Sequence, residues 1–130
     1  MIKRIKSKSE KRLIIEVIVN DKNAFMLIDT GASVGFMDSK QRKDYGLIVG
    51  KDFQGSLVGA GGTIHNVKHC NTMAEFQGKV IPQFLLADIS DIVKSVKRET
   101  GIEILGIISL PQMSIIGMNI DVNSSEIWLE

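Results

Sequence analysis

The 130-residue chain has one cysteine, no long apolar run, no excess of charge of either sign and few aromatics. A lone Cys70 excludes an intrachain disulfide and is compatible with a reducing compartment. No stretch approaches the ~20 apolar residues with which a helix crosses a bilayer. The N-terminus Met1-Ile2-Lys3-Arg4-Ile5-Lys6 carries charge without the apolar centre of a secretory signal, so a cytoplasmic location and no membrane partner are expected. Sixteen Lys and Arg stand against 15 Asp and Glu, for a net charge of +1, and 44% of residues are hydrophobic. These values describe a globular domain and argue against disorder. Six positive charges crowd into residues 3–12. Without interleaved aromatics they read as a solvated lead-in strand or arm, residues 1–12, before a domain at 13–130, and not as a nucleic-acid surface.

Several chemistries lack their residues. The glycine-rich stretch Val58-Gly59-Ala60-Gly61-Gly62-Thr63 has no Lys-Ser or Lys-Thr at phosphate-loop spacing, and a strand-like segment follows it, not a helix. His65, His69 and Cys70 suggest a metal, but residues four apart on a strand lie about 13 Å apart and no fourth ligand is evident, so no metal site is expected. No nucleophile motif surrounds Cys70 or any serine.

What the chain does have is Asp29-Thr30-Gly31-Ala32-Ser33 at the end of the apolar run Ala24-Phe25-Met26-Leu27-Ile28. A strand delivers a carboxylate into a turn of small and hydroxyl residues. A polar turn closing a strand would use similar residues. As a site, each member has a duty: Gly31 permits close approach of another backbone, Thr30 offers a hydroxyl to tie the loop to its neighbour, and Ser33 is placed to hydrogen-bond the carboxylate.

Leu27-Ile28-Asp29-Thr30-Gly31-Ala32-Ser33 resembles the catalytic loop of retropepsin-like aspartic proteases, in particular the small single-domain bacterial members. The likeness extends to the segment Gly59-Ala60-Gly61-Gly62, to Ile104-Leu105-Gly106, and to a closing pattern at 120–129. It implies a mostly β fold, the closed barrel or meander of the acid proteases with one or two short helices. It also implies that Asp29 is catalytic, that Gly59, Ala60, Gly61 and Gly62 belong to a flap over a peptide substrate, and that Ile104-Leu105-Gly106 is a strand beside the catalytic loop. No cofactor is implied. A rival assignment gives that last role to Ile115-Ile116-Gly117. Retroviral enzymes carry an Arg soon after the equivalent glycine, where this chain has Ile107-Ile108-Ser109.

Length then bears on assembly. A chain of this size holds one core, and no other aspartate is followed by Thr-Gly or Ser-Gly. Hydrolysis by two carboxyls sharing one proton needs a second carboxylate. A two-fold homodimer with Asp29 from each copy supplies it. The expected function is an aspartic endopeptidase; the other class is a non-catalytic peptide-binding or dimerisation module of the same fold.

Periodicity sets the elements. Leu13, Ile15, Val17 and Val19 alternate with Ile14, Glu16 and Ile18 as a strand, and Asn20–Asn23 turns the chain into the run ending at Asp29. Asp38 with Gln41 resembles a capping box and predicts a short helix from Ser39 to Tyr45, stopped by Gly46. Segments 56–58, 63–67, 72–76 and 79–87 read as strands of a meander. Ile89, Ile92, Val93 and Val96 predict a helix near 91–99 with Ser90 as its cap, and a helical turn is expected at 107–113.

Overall fold

A computed structural model describes residues 2–54, 57–59 and 62–130. Fourteen strands and three α-helices are formed among them. A nine-stranded sheet carries most of the core. Its strands are β2 (Ile14–Val19), β3 (Lys22–Asp29), β4 (Gly35–Asp38), β5 (Val49–Asp52), β8 (Lys68–Cys70), β9 (Ala74–Phe76), β10 (Lys79–Ile81), β11 (Phe84–Ala87) and β12 (Gly106–Ser109), in the order β10-β9-β2-β3-β12-β4-β11-β8-β5. Among the described residues the ladder is open, with no pairing between β10 and β5. A second sheet orders β1 (Ile5–Lys6), β14 (Glu126–Leu129) and β13 (Met118–Asp121) as β1-β14-β13. The third is a hairpin of β6 (Leu57–Gly59) and β7 (Gly62–Ile64) alone.

Strand alternation divides the interior into two layers. Along β3, Ala24, Met26 and Ile28 enter one cluster with Ile15, Val17 and Val19, while Leu27 joins the other with Ile14, Phe36 and Ile107. Both faces of the central strands are therefore buried, which is why β3 and β12 read as near-continuous apolar runs. Helix α2 (Ser90–Thr100) covers the second face through Val93 and Val96, and α3 (Leu110–Ile116) covers the first through Met113 and Ile116. By the same alternation Asp29 falls on the α2 side, in phase with Leu27.

The topology differs from a meander. β12 runs parallel to β3 and antiparallel to β4, and β11 runs parallel to β4. Non-local crossovers of this kind leave no local turn signal. The run at 79–87 is interrupted because Pro82 has no N–H for a ladder and Gln83 takes φ +67°, so β10 and β11 are separate strands. The turn expected at 107–113 is half strand: Ile107 and Ile108 continue β12, and α3 starts at Leu110.

The helix over 39–45 is one turn of 3₁₀ helix (Ser39–Gln41) followed by α1 (Arg42–Tyr45), with Gly46 left-handed at φ +63° as its stop. Asp38 caps it: Oδ1 accepts from Lys40 N–H at 3.1 Å and Oδ2 from the Gln41 amide at 3.1 Å. The cap of α2 is not Ser90. Asp88 Oδ1 accepts from Ser90 N–H at 3.0 Å, satisfying one donor of the first turn, and Gly101 ends the helix at φ +79°. The basic lead-in is tied down through β1, with Arg4 stacked 3.8 Å above the Trp128 ring and 3.8 Å from Glu126.

Candidate active site

Asp29 is the last residue of β3, half-buried, and the chain turns over it into the exposed Thr30 and Gly31. Gly31 N–H donates to Asp29 Oδ1 at 2.9 Å, and Ala32 N–H donates to the Asp29 carbonyl at 3.1 Å. A Cβ on Gly31 would lie 3.3 Å from that carboxylate oxygen, so glycine keeps the acid unobstructed. The loop is held from below. Ser109 of β12 is the register partner of Asp29, and Leu110 N–H donates to the Ala32 carbonyl at 3.2 Å.

The support strand lies where chain crossing is tightest. A Cβ on Gly106 would meet the Phe36 carbonyl oxygen at 2.0 Å, a contact that only glycine avoids. Its partner on β3, however, is Met26, and the residue opposite Asp29 is Ser109. Ile104 and Leu105 precede the strand, both fully buried, with Leu105 N–H donating to the Phe25 carbonyl at 2.8 Å and Leu105 O accepting from Asp38 N–H at 2.9 Å. Gly117, the glycine of the rival assignment, is instead the left-handed stop of α3 at φ +71°.

Two residues behind the loop carry no expectation from the motif. Ser109 and Gln112 form a capping box: the Gln112 side-chain oxygen accepts from Ser109 N–H at 2.9 Å, and Ser109 Oγ accepts from Gln112 N–H at 3.4 Å. The Gln112 amide also donates to the Pro82 carbonyl at 2.8 Å. A Cβ on Gly35 would fall 1.9 Å from Gln112 Oε1, so a glycine in β4 makes room for this buried amide. The signal was present as Ser109-Leu110-Pro111-Gln112, a serine three residues before a glutamine with proline in the first turn.

Above the acid is a cavity of about 370 Å³ lined by Asp29, Gly31, Ala32, Ser33, Val34, Phe36, Leu57, Ile64, Ile89, Ile92 and Ile107. Leu57 and Ile64 are paired across the β6–β7 hairpin, so its base forms one wall. Gly59 and Gly62 are the pair nearest the hairpin tip. Ala60 and Gly61 lie outside the described residues. Asp29 is the only ionisable side chain among those lining residues.

Two expected loop contacts are not made. Ser33 is exposed and makes no bond to the carboxylate, whose Oδ1 accepts from Gly31 N–H. Thr30 is exposed, and its Oγ1 has no partner among the described residues of the same chain. Elsewhere, burial pushes the Cys70 thiol above its ordinary value, which makes thiolate scarce at neutral pH. No group of three or more potential metal ligands occurs among the described residues. Nor is any described helix long and apolar enough to cross a membrane.

A strand-borne Asp-Thr-Gly loop under a hairpin, with a glycine-bearing strand crossing behind it, defines the retropepsin-like class. The family profile described as aspartyl protease matches residues 15–120, and the chain belongs to that family. Solved structures agree on the fold. The EIAV protease complexed with the inhibitor HBY-793 matches at TM-score 0.63 and 21% identity, over 90% of this chain and 99% of that one. A retropepsin-like aspartic protease from Rickettsia conorii matches at 0.58 and 15%, over 99% and 91%. The retroviral protease-like domain of Ddi1 from Leishmania major matches at 0.53 and 18%, over 86% and 82%. A search of curated proteins by sequence gave no match.

Proposed function

We propose that the protein is an aspartic endopeptidase whose active unit is a two-fold homodimer with one Asp29 from each copy. The observation that carries this reading is that Asp29 is the single ionisable side chain among the described residues lining the cavity. Two such acids brought face to face share one proton, since adjacent like charges cannot both ionise. The ionised one removes a proton from the water between them as its oxygen bonds to the scissile carbonyl carbon, and the protonated one donates to the carbonyl oxygen. The gem-diol intermediate then collapses: the C–N bond breaks, the leaving nitrogen takes the proton held by one carboxyl, and a diol hydroxyl returns its proton to the other carboxylate as the C=O bond re-forms.

Thr30, Gly31, Ala32 and Ser33 shape the loop, and the exposed Thr30 hydroxyl is available to the loop of the second copy. Ile104, Leu105 and Gly106 anchor it to the core. Gly59 to Gly62 are assigned to a flap whose closure would exclude water from the dyad, as the sequence resemblance implies. Val34, Phe36, Ile89, Ile92 and Ile107 favour apolar side chains beside the scissile bond, with the peptide main chain bound by strand addition.

The test is incubation of wild type and Asp29→Asn with unfolded polypeptides from pH 3 to 7, alongside a transition-state peptide mimic. Cleavage by wild type alone, with specific activity falling on dilution, is the expected result. Equal background cleavage by both proteins with no binding of the mimic rejects the enzyme, while binding of peptide without cleavage leaves the non-catalytic module.

A further inference from the structure

We infer that a second groove, joined to the cleft over Asp29 at Val34, selects peptides that carry an acidic side chain several residues from the scissile bond, with Lys51 and His69 as its recognition pair. The inference rests on the proposed protease reading and goes beyond it by naming a class of substrate.

The groove has a volume of about 780 Å³ and lies on the β11-β8-β5 edge of the main sheet. Its floor belongs to the same face as Asp29, because Leu85 and Phe53 pack with Leu27 and Phe36 in the layer covered by α2. Val34 lines both cavities. An extended peptide that leaves the acid past Val34 therefore enters the groove without changing faces.

The sheet is deformed at this place. Val49 pairs with Cys70 and Asp52 with Lys68, which leaves Gly50 and Lys51 opposite the single residue His69. A bulge of this kind re-aims a side chain, and Lys51 is brought to the groove beside His69. Gly50 permits the close approach: a Cβ there would lie 2.8 Å from Asn71 Oδ1 and 3.0 Å from the His69 carbonyl oxygen. On the other side of β8, His69 is the register partner of Leu85, which puts the two on one face. The Phe53 ring meets the imidazole at 5.9 Å between centroids, with the planes tilted by 57°.

Charge selects the ligand. The neighbouring pair is already neutralised, since Lys68 Nζ bonds Asp52 Oδ1 at 2.7 Å. Lys51 and His69 form no ion pair among the described residues, and no carboxylate is among those lining the groove. Asn71 and Gln83 add amide donors, and the imidazole offers an N–H in either protonation state. An ammonium and neutral donors grouped over an apolar floor suit the carboxylate of a Glu or Asp side chain. A lysine on the peptide would meet the Lys51 charge instead. In a two-fold homodimer the groove occurs twice, so the preference applies on both sides of the scissile bond.

Fluorogenic peptides test this, with an apolar pair at the scissile bond, alanines around it, and one Glu, Gln or Lys moved stepwise from the second to the sixth residue on either side. At one distance the Glu peptide should show a KM about fivefold below that of the Gln peptide, the order of one partly exposed ion pair, with equal kcat and a difference that shrinks in salt. Lys51→Glu should invert the order so that the Lys peptide is preferred, a gain that requires a folded protein. His69→Ala should weaken the preference without inverting it. Labelled forms of the same peptides, titrated by fluorescence anisotropy into Asp29→Asn with and without Lys51→Glu, read binding apart from cleavage. Cleavage with one KM for all three side chains at every distance, or a Glu preference that survives Lys51→Glu, overturns the inference and leaves the protease reading standing. Charge-selective binding that inverts with Lys51→Glu, in a protein whose wild type cleaves nothing, does the reverse. A protein that neither cleaves nor binds any of the peptides removes both.

Discussion

The floor of the cleft and its roof are built in opposite ways. Asp29 ends a strand flanked on both sides, by β2 and by β12, buried over Met26 to Ile28 and tied by Leu110 to a capped helix. Among the described residues the β6–β7 hairpin pairs only with itself, over three residue pairs. Where a carboxylate must be held to within a fraction of an ångström, the chain spends its close-packed glycines, Gly35 and Gly106, and its buried amide Gln112. The wall opposite is a two-stranded ribbon, an element only marginally stable by itself.

The contrast is broken most completely at the floor. Asp29→Asn keeps an oxygen for the Gly31 N–H and should fold like wild type, yet lose activity by at least about a thousandfold, since general acid–base catalysis contributes ~10²–10⁴ and no other carboxyl lines the cavity among the described residues. Assays on a fluorogenic peptide check this, with a melting curve to show that the fold is intact.

Gly106→Ala comes next. Its methyl group would overlap the Phe36 carbonyl, a main-chain atom between two strands that cannot give way cheaply, so a loss of about 2–4 kcal/mol in urea unfolding is expected. Gly35→Ala sets the milder comparison. There the obstacle is the end of a side chain, and the cost arises from expelling Gln112 from its bonds to Ser109 and Pro82. Activity should fall along with stability, because the same glutamine caps the helix that holds the loop.

Roof substitutions should separate the two quantities. Leu57→Ala and Ile64→Ala remove apolar wall on a ribbon outside the main sheet, so urea midpoints should barely move while KM rises about tenfold, the worth of roughly 1.4 kcal/mol of lost contact. Equal losses of stability and affinity would mean that the hairpin is as firmly built as the floor.

Residues differ in how much of this they disclosed in sequence. Asp29 to Ser33 pointed to a candidate site because loop chemistry is local, and Asp38 with Gln41 announced the first helix because a cap acts over three residues. Ile107 and Ile108 did not announce β12 as a parallel strand, since their partners in β3 are 80 positions away and a doubly buried strand has no alternation to read. Gly106 showed that something passes close, but only the register reveals that Phe36 does so and that Ser109, not Gly106, faces Asp29. The Ser109–Gln112 box was as legible as the Asp38 cap, yet its relevance depends on Pro82 and Gly35, which only the fold brings near.

The smallest expected effect lies at the edge of the floor, where α2 brings Ile89 and Ile92 to the cavity. Asp88, just before the N-cap Ile89, accepts from the first N–H of that helix, and its bonds to Ser90 hold the carboxyl below the usual aspartate range, with Lys40 and Lys94 adding to the shift. A carboxyl lowered in the folded state stabilises it above the unfolded pKa, and the contribution fades as pH falls through the folded value. Asp88→Ala should therefore lower the melting temperature slightly at neutral pH, with the difference from wild type shrinking on acidification below about pH 4, the ordinary aspartate range. Lys40 stands 4.0 Å from Asp88, its side chain two-thirds exposed and that of Asp88 half exposed, so salt should remove little of the effect and the hydrogen bond should carry most of it. Melting curves of both proteins at several pH values and two salt concentrations decide this. A difference that persists undiminished in acid would place the stabilisation in packing at the start of α2 instead of in the charged cap.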